Sequence, residues 1–310
     1  MNFNKPKFWD YSELSFWSII LYPLSLLFLF FSLVIKLFKI KKKFPIPIIC
    51  VGNIYLGGTG KTPLVKEIFQ ITKSLGKNPA FVKKYYDYLD DEINMLQAIG
   101  KTFFLDKRKD SIKSLIKNGY DLAILDDGFQ DLSINKNFNI VCFNNKQWIG
   151  NGLTIPAGPL REKISALRRA DCILINGNKD TKIENQIYKE NKEAKIFYSQ
   201  YKPLDIERFK GKKICAFAGI GNPSNFFELL KENNLNLIKT FSYSDHHDYS
   251  YTEIENMVKK YNDCVLLTTE KDYCRISLDS VLKGFKIQCL KIRLEIEDKD
   301  NFIKLIKDKI

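Results

Sequence analysis

Ile48-Ile49-Cys50-Val51-Gly52-Asn53-Ile54-Tyr55-Leu56-Gly57-Gly58-Thr59-Gly60-Lys61-Thr62 is the stretch from which the architecture can be read. Ile48 to Val51 is a short continuous apolar run, the pattern of a strand buried on both faces of a parallel sheet. A glycine-rich turn follows and ends in Gly60-Lys61-Thr62, and from Pro63 to about Leu75 the pattern is helical. Strand, glycine loop, Gly-Lys-Thr and helix is the order of a P-loop. Gly57, Gly58 and Gly60, with Thr59 among them, let backbone N–H groups turn inward around phosphate, and the helix N-terminus adds partial positive charge. Lys61 has the reach for β- and γ-phosphates, and the Thr62 hydroxyl suits Mg²⁺. The usual spacing puts a further glycine five residues before Gly60; here that residue is Tyr55.

Downstream, Leu122 to Leu125 reads as a second apolar strand ending in Asp126-Asp127-Gly128-Phe129-Gln130. Carboxylates at the C-terminal end of a parallel strand are where a nucleotide's metal belongs. An Asp-Asp-Gly cluster also suits a plain turn; after a P-loop, the metal reading is the stronger. Strands near 47–51, 79–83, 122–126, 139–143 and 172–175 alternate with helices near 61–75, 91–99 and 108–118. A second series has strands near 195–198, 213–218, 236–241, 264–268 and 287–292, with helices near 223–233 and 251–261. Strands separated by helices predict an α/β fold: two lobes of parallel-type sheet flanked by helices, the N-terminal lobe P-loop NTPase-like. The expected domains are an anchor over 1–44, a P-loop kinase core over 45–170 and a second α/β lobe over 171–310 that closes the cleft. Gly219-Ile220-Gly221-Asn222-Pro223 is a second glycine turn, for packing or facing the cleft, and without Gly-Lys-Thr it is no nucleotide site.

Upstream, Leu14 to Ile35 holds twenty-two residues without a charge. As a helix it is about 33 Å long, enough for a hydrocarbon layer of about 30 Å. Trp9, Tyr11, Phe16, Trp17 and Tyr22 suit an interfacial belt, and Lys36, Lys39, Lys41, Lys42 and Lys43 orient the C-terminal side to the cytoplasm. No small-residue cleavage site follows, which argues against a secretory leader, and a buried core helix, though open, needs fewer than twenty-two uncharged residues. The segment predicts a membrane helix, spanning or embedded from one face. Residues 1–44 carry seven lysines against Asp10 and Glu13, so they supply only +5 of a net +13, and the rest stays basic. That balance favours anionic partners, including a membrane surface and phosphorylated ligands. Nucleic acid is not expected, for no recognition module or interleaved aromatic pattern accompanies the lysines. At 45% hydrophobic and 27% charged, disorder is excluded. Seven scattered cysteines without C-x-x-C give neither a disulfide framework nor a zinc site.

A P-loop with an acidic strand end predicts NTP hydrolysis or phosphoryl transfer without naming the acceptor. Partitioning ATPases use a similar loop with a lysine just before the paired glycines, where this chain has Leu56. Gly150-Asn151-Gly152-Leu153-Thr154-Ile155-Pro156-Ala157-Gly158-Pro159-Leu160-Arg161-Glu162, together with the segments already quoted, narrows the choice. So do Arg169-Ala170-Asp171, Ala216 to Pro223, Asp245-His246-His247 and Thr268-Thr269-Glu270-Lys271-Asp272. In this order, over nearly the whole chain, they resemble the tetraacyldisaccharide 4′-kinase family, membrane-bound kinases that phosphorylate the lipid A precursor. The resemblance implies ATP and Mg²⁺ as cofactors and a lipid disaccharide 1-phosphate as acceptor at its 4′-hydroxyl. It also implies a place on the anionic inner-membrane surface with the catalytic lobes cytoplasmic, and no obligate protein partner. It assigns hydroxyl activation to Asp91, before Glu92, paired with His246, and puts Arg161 and Glu162 in the catalytic cleft with Lys61. Metal ligation falls to Thr62, Asp126 and Asp127. Where the family has Ser-Arg-Gly-Tyr-Gly, this chain reads Lys83-Lys84-Tyr85-Tyr86-Asp87, and the shortened segment after it leaves Asp87, Asp90 and Asp91 competing for the base. Asp131 stands where the family usually has His.

Independently of the family, a hydroxyl attacking phosphorus must lose a proton, which a carboxylate or imidazole can take. His246 and His247 also suit a polar turn before a helix near Tyr251, with Asp248 or Ser250 as its cap. Arg161, Arg168 and Arg169 suit phosphate through their planar forks, or equally, for Arg168, a solvated face. The competing class is a membrane-tethered NTPase that acts as a switch or scaffold.

Overall fold

The computed structural model describes residues 5–11, 13–86 and 90–310. In chain order the elements begin with α1 (Phe16–Leu37), β1 (Ile48–Gly52), α2 (Lys61–Ser74), β2 (Pro79–Lys84) and α3 (Asp90–Gln97). There follow β3 (Thr102–Leu105), α4 (Arg108–Lys117), β4 (Leu122–Asp126), β5 (Phe138–Asn144), β6 (Cys172–Asn176), α5 (Thr181–Glu190) and β7 (Lys195–Pro203). The chain closes with β8 (Lys213–Ala218), α6 (Pro223–Glu232), β9 (Asn236–Ser242), α7 (Tyr251–Lys260), β10 (Val265–Thr269), α8 (Glu270–Leu278), β11 (Ile287–Leu290), β12 (Ile292–Ile296) and α9 (Lys299–Lys307).

These elements form two compact units. The first comprises Lys5–Tyr85, Ile99–Gln200 and Leu294–Ile310. Its eight-stranded sheet has the order β12-β7-β6-β5-β1-β4-β2-β3. From β7 to β3 every neighbouring pair is parallel. All five residues of β1 are buried, which is why its sequence is an unbroken apolar run. Val51 pairs with Asp126 on one side and Ile140 on the other, so the loop after β1 opens beside the acidic end of β4. The helix α2 buries Leu64, Val65, Ile68 and Phe69, and its Pro63 lies in the first turn, where a missing N–H costs nothing.

The second unit comprises Tyr86–Ala98 and Tyr201–Arg293, and its four-stranded parallel sheet has the order β11-β10-β8-β9. Two apolar clusters stand in it, one around Phe209, Phe226, Phe227 and Leu230, the other around Phe217, Ile254, Met257 and Ile276.

The chain does not divide near 170. Strands β6 and β7 extend the first sheet beside β5, Cys172 pairing with Lys195, and Tyr198 joins the first core. The predicted strand 287–292 is two strands, β11 in the second sheet and β12 at the edge of the first. Helix α3, placed by sequence in the P-loop core, belongs to the second unit.

Helix α1 is apolar where it is exposed and polar where it is covered. Phe16, Trp17, Ile19, Phe30, Phe31 and Leu33 are exposed, while Ser18 and Ser25 are buried. The Ser25 hydroxyl donates to the Thr154 carbonyl at 2.8 Å and accepts from Ala157 N at 3.0 Å. Asn151 Nδ2 donates to Ser18 Oγ at 3.0 Å, and Lys36 Nζ meets Glu162 Oε2 at 2.5 Å. At 100° per residue these three positions share one face, spread over about 27 Å of helix. A water-facing helix has the opposite polarity.

Candidate active site

Side-chain and backbone hydrogen bonds together fix the phosphate loop. The Gly60 residue caps α2 at φ 89°, a left-handed conformation that a Cβ would strain, so only glycine fits the final turn comfortably. Buried Asn53 donates through Nδ2 to Tyr55 O at 2.6 Å and Thr59 Oγ1 at 3.0 Å, tying the start of the loop to its end. Gln130 Nε2 donates to Asn53 O at 2.7 Å. Leu56 N donates to Pro159 O at 2.8 Å and Arg161 N to Ile54 O at 2.7 Å, so the loop is laced to the run that carries Arg161. Tyr55, the departure from the usual spacing, forms an isolated antiparallel bridge with Leu160. Its fully buried ring carries an OH that donates to Asp10 Oδ1 at 2.5 Å and accepts from Lys5 Nζ at 3.0 Å.

Cations crowd the two carboxylates at the end of β4. Asp127 sits at φ 56° and faces Arg161, whose Nη1 donates to both its oxygens at 3.1 and 2.9 Å, while Lys61 Nζ stands 3.8 Å from Oδ1. Burial would raise the Asp127 carboxyl, but Lys61 and Arg161 outweigh it and hold it well below the usual carboxylate range. Arg108 Nη2 donates to Asp127 O at 2.7 Å. Asp126 is buried; its Oδ2 pairs with Lys83 of β2, and its Oδ1 has no hydrogen-bond partner. A buried carboxylate oxygen without a donor, one residue from a second carboxylate, is the hard oxygen set Mg²⁺ takes. Among the described residues no group of three or more His, Cys, Asp or Glu side chains could hold a metal alone. That fits an ion which binds proteins through one or two carboxylates and takes its other ligands from phosphates and water.

Glu162 is 4% exposed and is clamped between Lys36 at 2.5 Å and Arg169 Nη2 at 2.9 Å. Arg169 in turn covers the Phe129 ring at 4.7 Å. Arg168 is a surface residue paired with Glu190, as the solvated-face alternative had it.

In the second unit, Asp91 and His246 are brought together. Asp91 is 3% exposed; its Oδ1 accepts from Glu92 N at 2.8 Å, and its Oδ2 accepts from Arg275 Nη2 at 2.7 Å and lies 3.5 Å from His246 Nδ1. Burial pushes its pKa up, yet His246, Lys271 and Arg275 bring it down to about 2. His246 sits at φ 57°, and its N–H donates to Gly219 O at 3.2 Å. Gly219 N donates to both oxygens of fully buried Asp272 at 3.1 Å. A Cβ there would stand 2.9 Å from Tyr249 Oη and 3.1 Å from Asp272 Oδ1, so the second glycine turn is a packing turn. His247 stacks on Tyr243 and meets Glu253, while Ser250 caps α7 in a capping box, so the helix-cap alternative describes that half of the His pair. Of the competing aspartates, Asp87 and the side chain of Asp90 lie outside the described residues.

A sequence model of tetraacyldisaccharide-1-P 4′-kinases matches residues 17–98 and 87–310. The chain is 41% identical over 317 aligned residues to the tetraacyldisaccharide 4′-kinase of Pelagibacter ubique, covering 99% of this chain and 98% of that one. The chain belongs to the tetraacyldisaccharide 4′-kinase family. It is 30% identical to the Bartonella quintana member, over 92% of this chain and 89% of that one. LpxK of Aquifex aeolicus, solved in complex with ATP, has the same fold, with a TM-score of 0.69 at 23% identity over 94% of this chain and 98% of that one. As a member of this kinase family the chain is a phosphotransferase.

Four residues at the two clusters carried no assigned role in the sequence reading: Lys83, Arg108, Lys271 and Arg275. Lys83 had a signal, a lysine at the end of an otherwise buried strand. Lys271 lay inside the quoted Thr-Thr-Glu-Lys-Asp run. Arg108 and Arg275 had none, because a charged residue on a short helix looks the same whether it faces water or a carboxylate.

Proposed function

We propose that the chain transfers the γ-phosphoryl group of ATP to the 4′-hydroxyl of a tetraacyldisaccharide 1-phosphate, the lipid A precursor, at the cytoplasmic surface of the inner membrane. The observation that carries this reading is the pairing of Asp91 with His246 in a member of the kinase family that also keeps a P-loop. Gly57 to Thr62 cradle the phosphates, and Lys61 and Arg161 offset their negative charge. Thr62, Asp126 and Asp127 are the residues that would hold Mg²⁺, which when bound would offset the negative charge of the phosphates. Asp91 takes the proton of the acceptor hydroxyl, oriented by His246. Near pKa 2 it is a weak base, but a loose, metaphosphate-like transition state asks little activation of the nucleophile. Glu162, held by Lys36 and Arg169, keeps the Arg161 run in place. The exposed apolar sides of α1 embed in the bilayer, and the lysines that follow meet anionic headgroups.

Incubation of the membrane-bound protein with γ-labelled ATP and the 1-phosphorylated acyl disaccharide, beside the unphosphorylated one, tests the proposal. Label is expected in the organic phase with the former and absent with Lys61→Ala, which stays folded and membrane-bound. Label released only as inorganic phosphate would leave the tethered NTPase switch as the better description.

A further inference from the structure

The two ring nitrogens of His246 face opposite kinds of partner. Nδ1 lies 3.5 Å from Asp91 Oδ2, and Nε2 lies 3.0 Å from the Nζ of Lys271. An ammonium has three donors and no acceptor. Lys271 Nζ also lies 2.9 Å from Glu92 Oε1 and 3.4 Å from Asp245 Oδ1, so its three hydrogens have three acceptors, one of them the imidazole. Although burial disfavours its charge, Glu92, Asp245 and Asp91 favour it more and push its pKa up, which keeps Lys271 a donor. A nitrogen that accepts from an ammonium carries no hydrogen of its own. The ring hydrogen is then on Nδ1, the nitrogen 3.5 Å from Asp91 Oδ2.

We propose that Lys271 is a positioning residue that fixes His246 as the neutral Nδ1–H tautomer by donating to Nε2, so that His246 presents a donor to Asp91. This rests on the reading of Asp91 and His246 as the proton-handling pair. Among the described residues the ring is faced by Asp91 and Glu92 from α3, Asp245 from its own loop and Lys271 from α8, with Arg275 of α8 bonded to the same Asp91 oxygen. Asp91, Glu92 and Asp245 put three carboxylates about the ring, and the Lys271 ammonium is the cation 3.0 Å from Nε2. Removing the ammonium therefore leaves the ring free to protonate at Nε2. The carboxylate it serves then faces an imidazolium, which holds the Asp91 charge more tightly and makes it a poorer proton acceptor.

The test uses the full-length protein in micelles, labelled with ¹⁵N in its histidine rings; there are two histidines, and His247→Gln assigns them. Long-range proton–nitrogen spectra of the wild type at pH 7 are expected to show His246 neutral with hydrogen on Nδ1. In Lys271→Met the ring is expected to carry hydrogen on Nε2 at pH 7. The acidic limb of kcat should move to higher pH while KM for ATP holds, and Lys271→Arg should restore both. An Nε2–H ring in the wild type overturns the proposal, with no variant needed. So does an Nε2 in Lys271→Met that stays free of hydrogen. The tautomer is read without turnover, so loss of lipid phosphorylation in the preceding assay would sink the functional reading, while the Nδ1–H assignment is decided separately by the spectra.

Discussion

At Asp91 burial and ion pairing pull in opposite directions, and the pairing prevails, taking the carboxyl from an ordinary 3.8 to about 2. A carboxylate whose pKa is lower in the folded than in the unfolded state adds stability above its unfolded value and loses it as pH falls through its folded one. The contribution of Asp91 is therefore full above about pH 5 and lost progressively toward pH 2, and amounts to about 2 kcal/mol. Denaturant unfolding from pH 6 down to pH 2 should show the stability gap between wild type and Asp91→Asn narrowing by that amount; a constant gap would mean that Asp91 is not held ionised by its neighbours. At this scale the phosphate loop was legible because its glycines and Gly-Lys-Thr serve a single local geometry. The Asp91–His246 pair was legible only through family resemblance, since the two residues lie far apart in sequence and neither stands in a motif with its own physical signature. Glu162, which the family resemblance put in the catalytic cleft, is buried between Lys36 and Arg169, a placement its sequence neighbours did not foretell.

Among the elements, α1 offers the sharpest test. Its Ser25 hydroxyl satisfies both the Thr154 carbonyl and the Ala157 amide. Ser25→Leu makes the helix more apolar, so the protein should still sediment with membranes. It also strands two buried backbone groups, at a cost of about 1–3 kcal/mol. Hydrogen exchange at Ala157 should accelerate; an unchanged rate would show that the serine does not latch the helix to the loop. The helix itself was plain in the sequence, because twenty-two uncharged residues have few other uses. Its polar face was not, since two serines in an apolar run carry no signal until something covers them. Helices α5, α8 and α9 and strand β3 passed unmarked for a related reason: α9, for instance, buries only Phe302 and Ile306 among its nine residues, too few apolar positions to set a period.

For the whole molecule, the strands were predicted well and sorted badly. Periodicity reports that a segment is a strand, whereas the sheet it joins is decided by a distant partner, and so β7 and β12 were placed with the wrong neighbours. The last helix, α9, closes the first unit: Phe302 is fully buried and meets Phe197 edge-on at 5.2 Å, and Lys299 reaches Glu67 of α2 at 2.6 Å. Phe302→Ala should cost about 3–5 kcal/mol, and exchange should quicken in β7 while β8 and β10 keep their protection; a uniform loss across both sheets would mean the two units unfold as one. The excursion of α3 into the second unit has a further bearing on how the chain is made. Asp91 leaves the ribosome 184 positions ahead of Arg275, the side chain that grips it. At typical synthesis rates that is about 10–40 s. Throughout that interval the apolar helix α1 is already made while the Asp91–His246 pair does not yet exist. If α1 docks in lipid as proposed, a nascent chain can reach the membrane before that pair forms.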